Sequence, residues 1–329
     1  MRITYWTSMS ATEARSPSFL GTWLVAVRPF AISASVAPVL FGTIMAVVVA
    51  GAPFSTPRFL LALLAMITLH SGANMLSDVN DFRRGLDNVP TPVSGAIVRG
   101  WLSSRQVLAG SITLLVAGSL MGLALVRMVG PALLWIGLAG LAIGVFYTAG
   151  PVSLKYRGLG DLAVFLDFGV LGALGAWTVQ TRIPSWLPAL WAVPMSLPVV
   201  AILHANNWRD IATDSNRDVV TVASRLGDRG SLIYYGVLVF SPFALVTALM
   251  VLRQVAPACP LGMPPPFALT WLALPLAIER WRRALRRATP RQPMDFVALD
   301  GATSQLNLVF GLLCSASLVL HALLRTWIG

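Results

Sequence analysis

Asn74, Asp78 and Asp81 stand at i, i+4 and i+7, so on a helix they share one face. Asn206, Asp210, Asp214 and Asp218 repeat every four residues and form a second stripe by the same rule. The first stripe runs on through Arg83, Arg84, Gly85 and Asp87, and Arg209 lies inside the second. Rows of short carboxylates with amide neighbours suit a hard divalent cation. Mg²⁺ is usually held by one or two carboxylates plus the phosphate oxygens of a substrate. Two such rows facing each other suit about two or three Mg²⁺ ions around a diphosphate, and without metal the carboxylates would repel that anion. Asp78, Asp81, Asp210 and Asp214 are therefore the expected catalytic Mg²⁺ ligands. Asn74 and Asn206, one turn earlier, are candidates for metal or diphosphate contact, or for an interhelical hydrogen bond. Asp87 and Asp218 are peripheral.

These stripes need helices to carry them, and the composition supplies membrane helices. The 329 residues are 56% hydrophobic and 11% charged, against about 25% charged in a soluble domain. That excludes a soluble globular enzyme, a disordered chain and a coiled coil. Apolar stretches of membrane length fall at roughly 22–50, 57–76, 106–126, 130–149, 160–180, 185–205, 231–252, 264–279 and 304–326, about nine in all. Their length and lack of alternation predict an all-α polytopic membrane protein embedded in a lipid bilayer rather than a barrel. Of 24 basic residues, 19 fall on one side of these spans, which the positive-inside rule makes cytoplasmic. None of the 13 acidic residues lies in a loop on the other side, an asymmetry that topology alone does not require. Both stripes close even-numbered spans, four spans apart, so the chain reads as two related helical halves with one mouth. Residues 1–19 read as a loose cytoplasmic tail without a signal peptide's apolar core, and residues 20–329 as one transmembrane domain. The net charge of +11 is accounted for by topology, so nucleic acid is not an expected partner. Cys259 and Cys314 lack metal or redox spacing.

Together the stripes resemble the two aspartate-rich motifs of the UbiA-type intramembrane prenyltransferases. Within that superfamily the chain is most similar to the 1,4-dihydroxy-2-naphthoate prenyltransferases of menaquinone biosynthesis. The resemblance runs over nearly the whole chain. Its pieces are Trp23 to Gly42 with Arg28-Pro29, Pro92 to Ile97, Tyr147 to Pro151, Tyr156 to Asp161, Asn206 to Asp210 with Thr221 and Arg225 to Gly227, and Thr303 to Leu306. It implies about nine helices around a central cavity under a cytoplasmic cap. The reaction it implies is Mg²⁺-assisted ionisation of an allylic prenyl diphosphate and capture of the carbocation by an aromatic acceptor, with decarboxylation where the acceptor is dihydroxynaphthoate. Metal and cationic side chains stabilise charge on the departing diphosphate, and a water-poor apolar cavity protects the cation. The chain departs from the family at Ser77, Val79 and Asn80, at Asp218-Val219-Val220 where a Gly-Lys pair is usual, and at Asp167, normally apolar. Arg217 or Lys155 is the expected replacement for the missing cation.

The motif match makes Arg28, Arg209, Tyr147, Lys155, Tyr156 and Asp161 candidate substrate-binding residues. Each also has a plainer reading: a snorkelling anchor for Arg28, topology for the only lysine, Lys155, and a helix-start charge for Asp161. Asp167, about 9 Å deeper than Asp161 at helical rise, has to face a cavity or a partner to stay charged. His70 and His204 read as packing histidines, and the run Arg280, Arg282, Arg283, Arg286 and Arg287 as a topology and lipid-facing patch. Alternatives are the same chemistry on another phenol, naphthol or haem, a prenyl-diphosphate cyclase, and, outside the class, a transporter or lipid-binding membrane protein.

Overall fold

The computed structural model describes residues 18–86, 95–211, 214, 219–287 and 298–328. Asp87, Arg217, Asp218, residues 92–94 of the segment after the first stripe, and all of the tail but its last two residues lie outside the described residues. Among the described residues the chain is helical and has no strand, only a lone parallel bridge between Arg157 and Val220.

Chain order gives α1 (Phe19–Val27), a 3-10 turn (Pro29–Ile32), α2 (Ser33–Ala50), α3 (Thr56–Arg83), α4 (Ser104–Val129) and α5 (Pro131–Phe146). A short 3-10 turn (Leu154–Tyr156) leads to α6 (Gly160–Val164), a π-helical segment (Phe165–Leu171) and α7 (Gly172–Thr181), which form one continuous run. Then follow α8 (Leu187–Arg209), α9 (Val222–Val255), a 3-10 stretch (Pro265–Ala273), α10 (Leu274–Ala284) and α11 (Leu299–Ile328). Seven of these runs are long and apolar enough to cross a membrane, and the chain is a multi-pass membrane protein. The other two expected spans are shorter. α5 has 16 residues. The eighth apolar stretch enters as a 3-10 helix from Pro265 and becomes α-helical only at Leu274, where Pro275 has no N–H to carry an i→i−4 ladder back into the preceding turn.

Local signals explain the boundaries. Ser103 and Gln106 form a reciprocal capping box at the start of α4, and Thr221 and Ser224 do the same for α9. Gly51 ends α2 in the left-handed conformation. α3 continues seven residues past its apolar stretch, so Asn74, Asp78 and Asp81 lie on a single unbroken helix. α9 is longer than its apolar part and kinks at Gly227, with φ +63°.

Packing divides the molecule unevenly. The aromatic core of Phe41, Trp191, Trp208, Tyr235, Phe243, Phe267 and Phe310 fills the space between α2, α8, α9, the 265–273 stretch and α11. On the other side, α3, α4, α5 and the 160–181 run surround a cavity of about 410 Å³. Two of the arginines expected on the lipid-facing patch instead fasten helices. Arg280 is 4% exposed and donates through Nε to the Ala302 carbonyl at 2.8 Å and through Nη2 to Gln305 at 2.9 Å, joining α10 to α11. Arg287 pairs with Asp228 of α9, which also accepts from Trp208 Nε1 of α8 at 2.8 Å.

α2 crosses α7 at Gly42, where an added Cβ would come within 2.4 Å of the Ala173 carbonyl oxygen and 2.9 Å of the Ala176 Cβ. Small residues are what permit such approach between membrane helices. Gly42→Val is expected to cost about 1–3 kcal/mol through overpacking and to lower the thermal unfolding midpoint of detergent-solubilised protein by several degrees. Gly137→Ala, with nothing within 4 Å of the new methyl, should leave that midpoint in place. Equal midpoints for both variants would refute the close crossing.

Candidate active site

α3 and α8 end at the same side of the molecule, and α1, α6 and α11 begin or break there, so five chain segments converge on one mouth. A carboxylate at this boundary is costly unless it is compensated. Arg28 makes an ion pair with Asp78. Arg28 stands in the left-handed region (φ +53°, ψ +65°) between α1 and the 3-10 turn, a strained position for a non-glycine residue that precedes proline. Asp81 is 3% exposed and accepts three hydrogen bonds: from Lys155 Nζ at 2.6 Å, Tyr156 Oη at 2.8 Å and Ser77 Oγ at 3.2 Å. Asn80 Nδ2 donates to Thr148 Oγ1 at 3.3 Å, a second tie between α3 and the 147–157 loop.

At the second stripe, Arg209 spans two carboxylates. Its Nε and Nη2 donate to the two oxygens of Asp210 at 2.9 and 3.0 Å, and its Nη1 donates to Asp300 at 2.9 Å. Asn206 Nδ2 also reaches Asp300, at 3.3 Å. Asp214 follows one turn later and is buried, with its N–H donating to the Asp210 carbonyl at 2.9 Å. The chain then returns to the loop: Val220 N–H donates to the Tyr156 carbonyl at 3.2 Å, and Leu86, Tyr156 and Val219 form a small apolar cluster. Val219 thus packs where the family pattern leads one to expect a cation.

The loop carries the electrostatics of the mouth. Burial disfavours the Lys155 ammonium, but the Asp81 carboxylate at its head more than offsets this, so its pKa stands above the ordinary lysine value. Burial, then the neighbouring Asp81 charge, pushes the Tyr156 phenol up. Burial does the same to Tyr147, whose hydroxyl is buried without a hydrogen-bond partner and which lines the cavity.

Arg28, Asn74, Ser77, Tyr147, Lys155, Asn206 and Asp300 line the polar end of the cavity. Below them the wall is apolar, with Ala, Leu and Gly residues down to Leu125, Val126 and Leu133 at the far ends of α4 and α5. Asp161 is not part of this lining, and neither are Asp78, Asp81, Asp210 and Asp214; of their cationic partners, Arg28 and Lys155 are. Asp161 is buried with its carboxylate 3.9 Å from His204 Nδ1. His204 donates through Nε2 to the Ser231 carbonyl at 3.2 Å, as a packing histidine should. His70 packs on Phe168 at 4.5 Å and holds Ser35 Oγ at 2.8 Å, yet it also lines the cavity. Asp300 was not among the sequence candidates. Its signals were its place one turn before the Thr303 to Leu306 segment and its acidity on the side that gathers all the acids.

Among the described residues no three acid, imidazole or thiol groups come close enough to hold a metal by themselves. The donor set is two carboxylates per stripe, each stripe accompanied by basic side chains. Such a set fits Mg²⁺ whose shell is completed by a substrate's phosphate oxygens and does not fit an all-protein cage.

The UbiA prenyltransferase family model matches residues 35–300. UbiA prenyltransferase domain-containing protein 1 of Xenopus tropicalis is 30% identical over 304 residues, covering 91% of this chain and 82% of that protein. The Danio rerio protein of the same name is 31% identical over 295 residues, covering 88% and 81%. Two solved structures share the fold. The apo UbiA homologue from Aeropyrum pernix K1 superposes with a TM-score of 0.60 at 18% identity, over 87% of this chain and 97% of that one. The UbiA homologue from Archaeoglobus fulgidus bound to GPP and Mg²⁺ superposes at 0.58 and 14% identity, over 90% and 99%.

Asp300 is 2% exposed and holds one arm of Arg209. Asp300→Ala should cost about 2 kcal/mol, the scale of a hydrogen bond to a charged group, and Asp300→Asn about half of that. The check is the thermal midpoint of each variant alone and in an Arg209→Ala background, where the loss should shrink. Full additivity would mean that the two side chains do not act on one another.

Proposed function

The chain belongs to the UbiA prenyltransferase family and is an intramembrane enzyme that transfers prenyl groups, and from that premise we propose that it joins an allylic prenyl diphosphate to 1,4-dihydroxy-2-naphthoate, with loss of the ring's carboxyl group. The observation that carries the reading is that Asn74 and Asn206 of the two stripes, with Arg28 and Lys155 paired to Asp78 and Asp81 behind them, line the mouth of an apolar cavity. Asp78, Asp81, Asp210 and Asp214 are the residues that would hold Mg²⁺. Bound there, the metal supplies the charge that lets an acidic mouth accept a diphosphate and that stabilises it as a leaving group. Arg28, Lys155 and Arg209 are cations already stationed at those carboxylates. They are placed to exchange a carboxylate for a phosphate oxygen, with Arg209 suited to a bidentate grip and Lys155 to a point contact. Lys155 thus takes the place of the cation that Val219 lacks. Asn74, Asn206 and Tyr147 offer amide and hydroxyl donors on the same wall. The Tyr147 hydroxyl, with no partner of its own, is placed to donate to the substrate.

Below the mouth the apolar wall receives the prenyl tail and keeps water from the carbocation. The new bond forms between the allylic carbon and the ring carbon that bears the carboxylate, the carbon–oxygen bond to diphosphate breaks, and the carboxylate leaves as carbon dioxide, its bonding pair returning to the ring and restoring aromaticity. Naphthoate as acceptor rests on the likeness of residues 147–151 and 156–161 to that branch. The excess of basic residues on the side of the mouth supports a cytoplasmic-facing mouth, in the cytoplasmic membrane. Asp161, seated against His204 outside the cavity lining, fits a role in bracing the helix start.

Purified protein in lipid, given Mg²⁺, a short prenyl diphosphate and dihydroxynaphthoate, should yield a prenylated, decarboxylated naphthol by mass. Asp78→Ala and Asp210→Ala should each lower transfer by about 10²–10³, the scale of losing an electrostatic stabiliser. Chelation should stop the reaction and Mg²⁺ restore it. Full activity in both variants would sink the reading. Diphosphate release without a naphthol product would move the acceptor to another ring.

A further inference from the structure

Asp167 lies inside the 160–181 run, in its π-helical segment, where Gly172 N–H reaches back five residues to the Asp167 carbonyl. π-Helical turns inside α-helices gather at functional sites. Here the turn sets the Asp167 side chain into the wall of the cavity. Across from it on α5 is Gly140, where an added Cβ would stand 3.0 Å from Asp167 Oδ1. Its chain neighbour Phe168 packs on His70. Asp167 makes no hydrogen bond or ion pair with any described residue, although a carboxyl at this depth is expensive without one. Asp161 is likewise buried without a hydrogen bond, 3.9 Å from His204 Nδ1, but it lies outside the cavity lining, whereas Asp167 is part of it. The missing partner therefore comes with a ligand.

Only one of the two substrates can bring it. A prenyl diphosphate is polar at its diphosphate, which belongs at the mouth, and its tail is hydrocarbon with no hydrogen-bond donor. The second substrate is an aromatic ring bearing hydroxyls. We propose that Asp167 is the seat of the acceptor: a ring hydroxyl donates to its carboxyl, and the ring lies in the cavity between the 160–181 run and α5, where Gly140 leaves room for the carboxylate itself. This rests on the prenyl-transfer reading and adds to it which wall of the cavity takes the acceptor and what chemical feature is recognised there. It also assigns a use to the one intramembrane acid by which this chain departs from its family.

The test measures equilibrium binding of 1,4-dihydroxynaphthalene and of its dimethyl ether to lipid-reconstituted protein, by quenching of protein fluorescence, alongside steady-state transfer. The wild type should bind the dihydroxy ring about tenfold more tightly than the ether, the scale on which a lost hydrogen bond to a polar site is felt. Asp167→Leu should abolish that preference and raise the acceptor KM about tenfold, while the KM for the prenyl diphosphate moves less than twofold. Asp167→Asn, nearly isosteric and still an acceptor, should keep part of the preference, and it serves as the measurement if the leucine variant does not fold. Equal binding of both rings by the wild type overturns the proposal. So does a shift confined to the prenyl diphosphate KM, which would make Asp167 part of the tail wall. Hydroxyl-selective binding lost in the variants, in a wild type that transfers no prenyl group to any ring, would uphold the seat and count against the transfer reading.

Discussion

Asp81 is the joint on which the mouth depends. A carboxylate that is 3% exposed at the end of a membrane helix needs its charge answered, and it draws in Lys155, Tyr156 and Ser77 to do so. That demand folds the 147–157 loop down onto α3. The loop in turn offers the Tyr156 carbonyl to Val220 and the Tyr156 ring to Leu86 and Val219. One buried carboxylate thereby connects the end of the first stripe to the segment that leaves the second. The same logic recruits Arg28 from the break between α1 and α2 and ties Arg209 to Asp300 at the head of α11. Surface ion pairs contribute little to stability. Pairs set this far from water fix geometry, since removing one partner strands the other.

The uneven packing of the two sides follows from what each must do. Large aromatic residues close the α8, α9 and α11 side into a solid core. Gly122, Gly137, Gly140 and Gly144 line the space between α4, α5 and the 160–181 run, where their lack of side chains leaves the cavity open, whereas Gly118 lets α4 close on Leu69 of α3. A cavity lined this way stabilises nothing by itself, so the rigidity of the far side and the ties at the mouth have to hold its walls apart.

The stripes were legible because i, i+4 and i+7 spacing on a helix needs no tertiary information; the first lies whole on α3, while of the second Asn206 lies on α8, Asp210 caps it, Asp214 follows one turn later, and Asp218 is outside the described residues. Tyr147, Lys155 and Tyr156 were legible as candidate substrate-binding residues of one short loop, but the pairing of Lys155 and Tyr156 with Asp81 was not, because it depends on the loop folding against α3. Asp300 was missed because it has no stripe of its own: its importance comes from 91 residues of sequence separation to Arg209, which only the packing of α11 beside α8 supplies. Arg280 was misread for a related reason. A run of arginines after an apolar segment has the sequence signature of a lipid-facing patch, and nothing local marks the one that turns inward to the Ala302 carbonyl. Asp161 carried a motif, but its surroundings are set by His204 on α8, not by the mouth.

The contrast between the mouth and Asp167 is the last step. At the mouth, Asp78, Asp81 and Asp210 are answered by cations from the chain itself, and the site is at rest without ligand. A metal arriving alone would have to compete with those cations for oxygens and would draw Asp78 from Arg28 and Asp81 from Lys155, while Arg209 would keep Asp300. A diphosphate arriving alone would meet the carboxylates. Arriving together, metal and diphosphate let each charged group exchange one partner for another of the same sign, so no charge is stranded at any point. Under the proposed chemistry this favours uptake of the two as a complex, and it ties the charge on the leaving group to side chains already in position. Asp167 has no such resting partner, and the apolar wall around it offers none. A site with paired charges at its rim and an acid in its apolar wall separates its two substrates by chemistry: under the proposed reading the anionic one is held by exchange at the rim and the hydroxylated one by a hydrogen bond to Asp167.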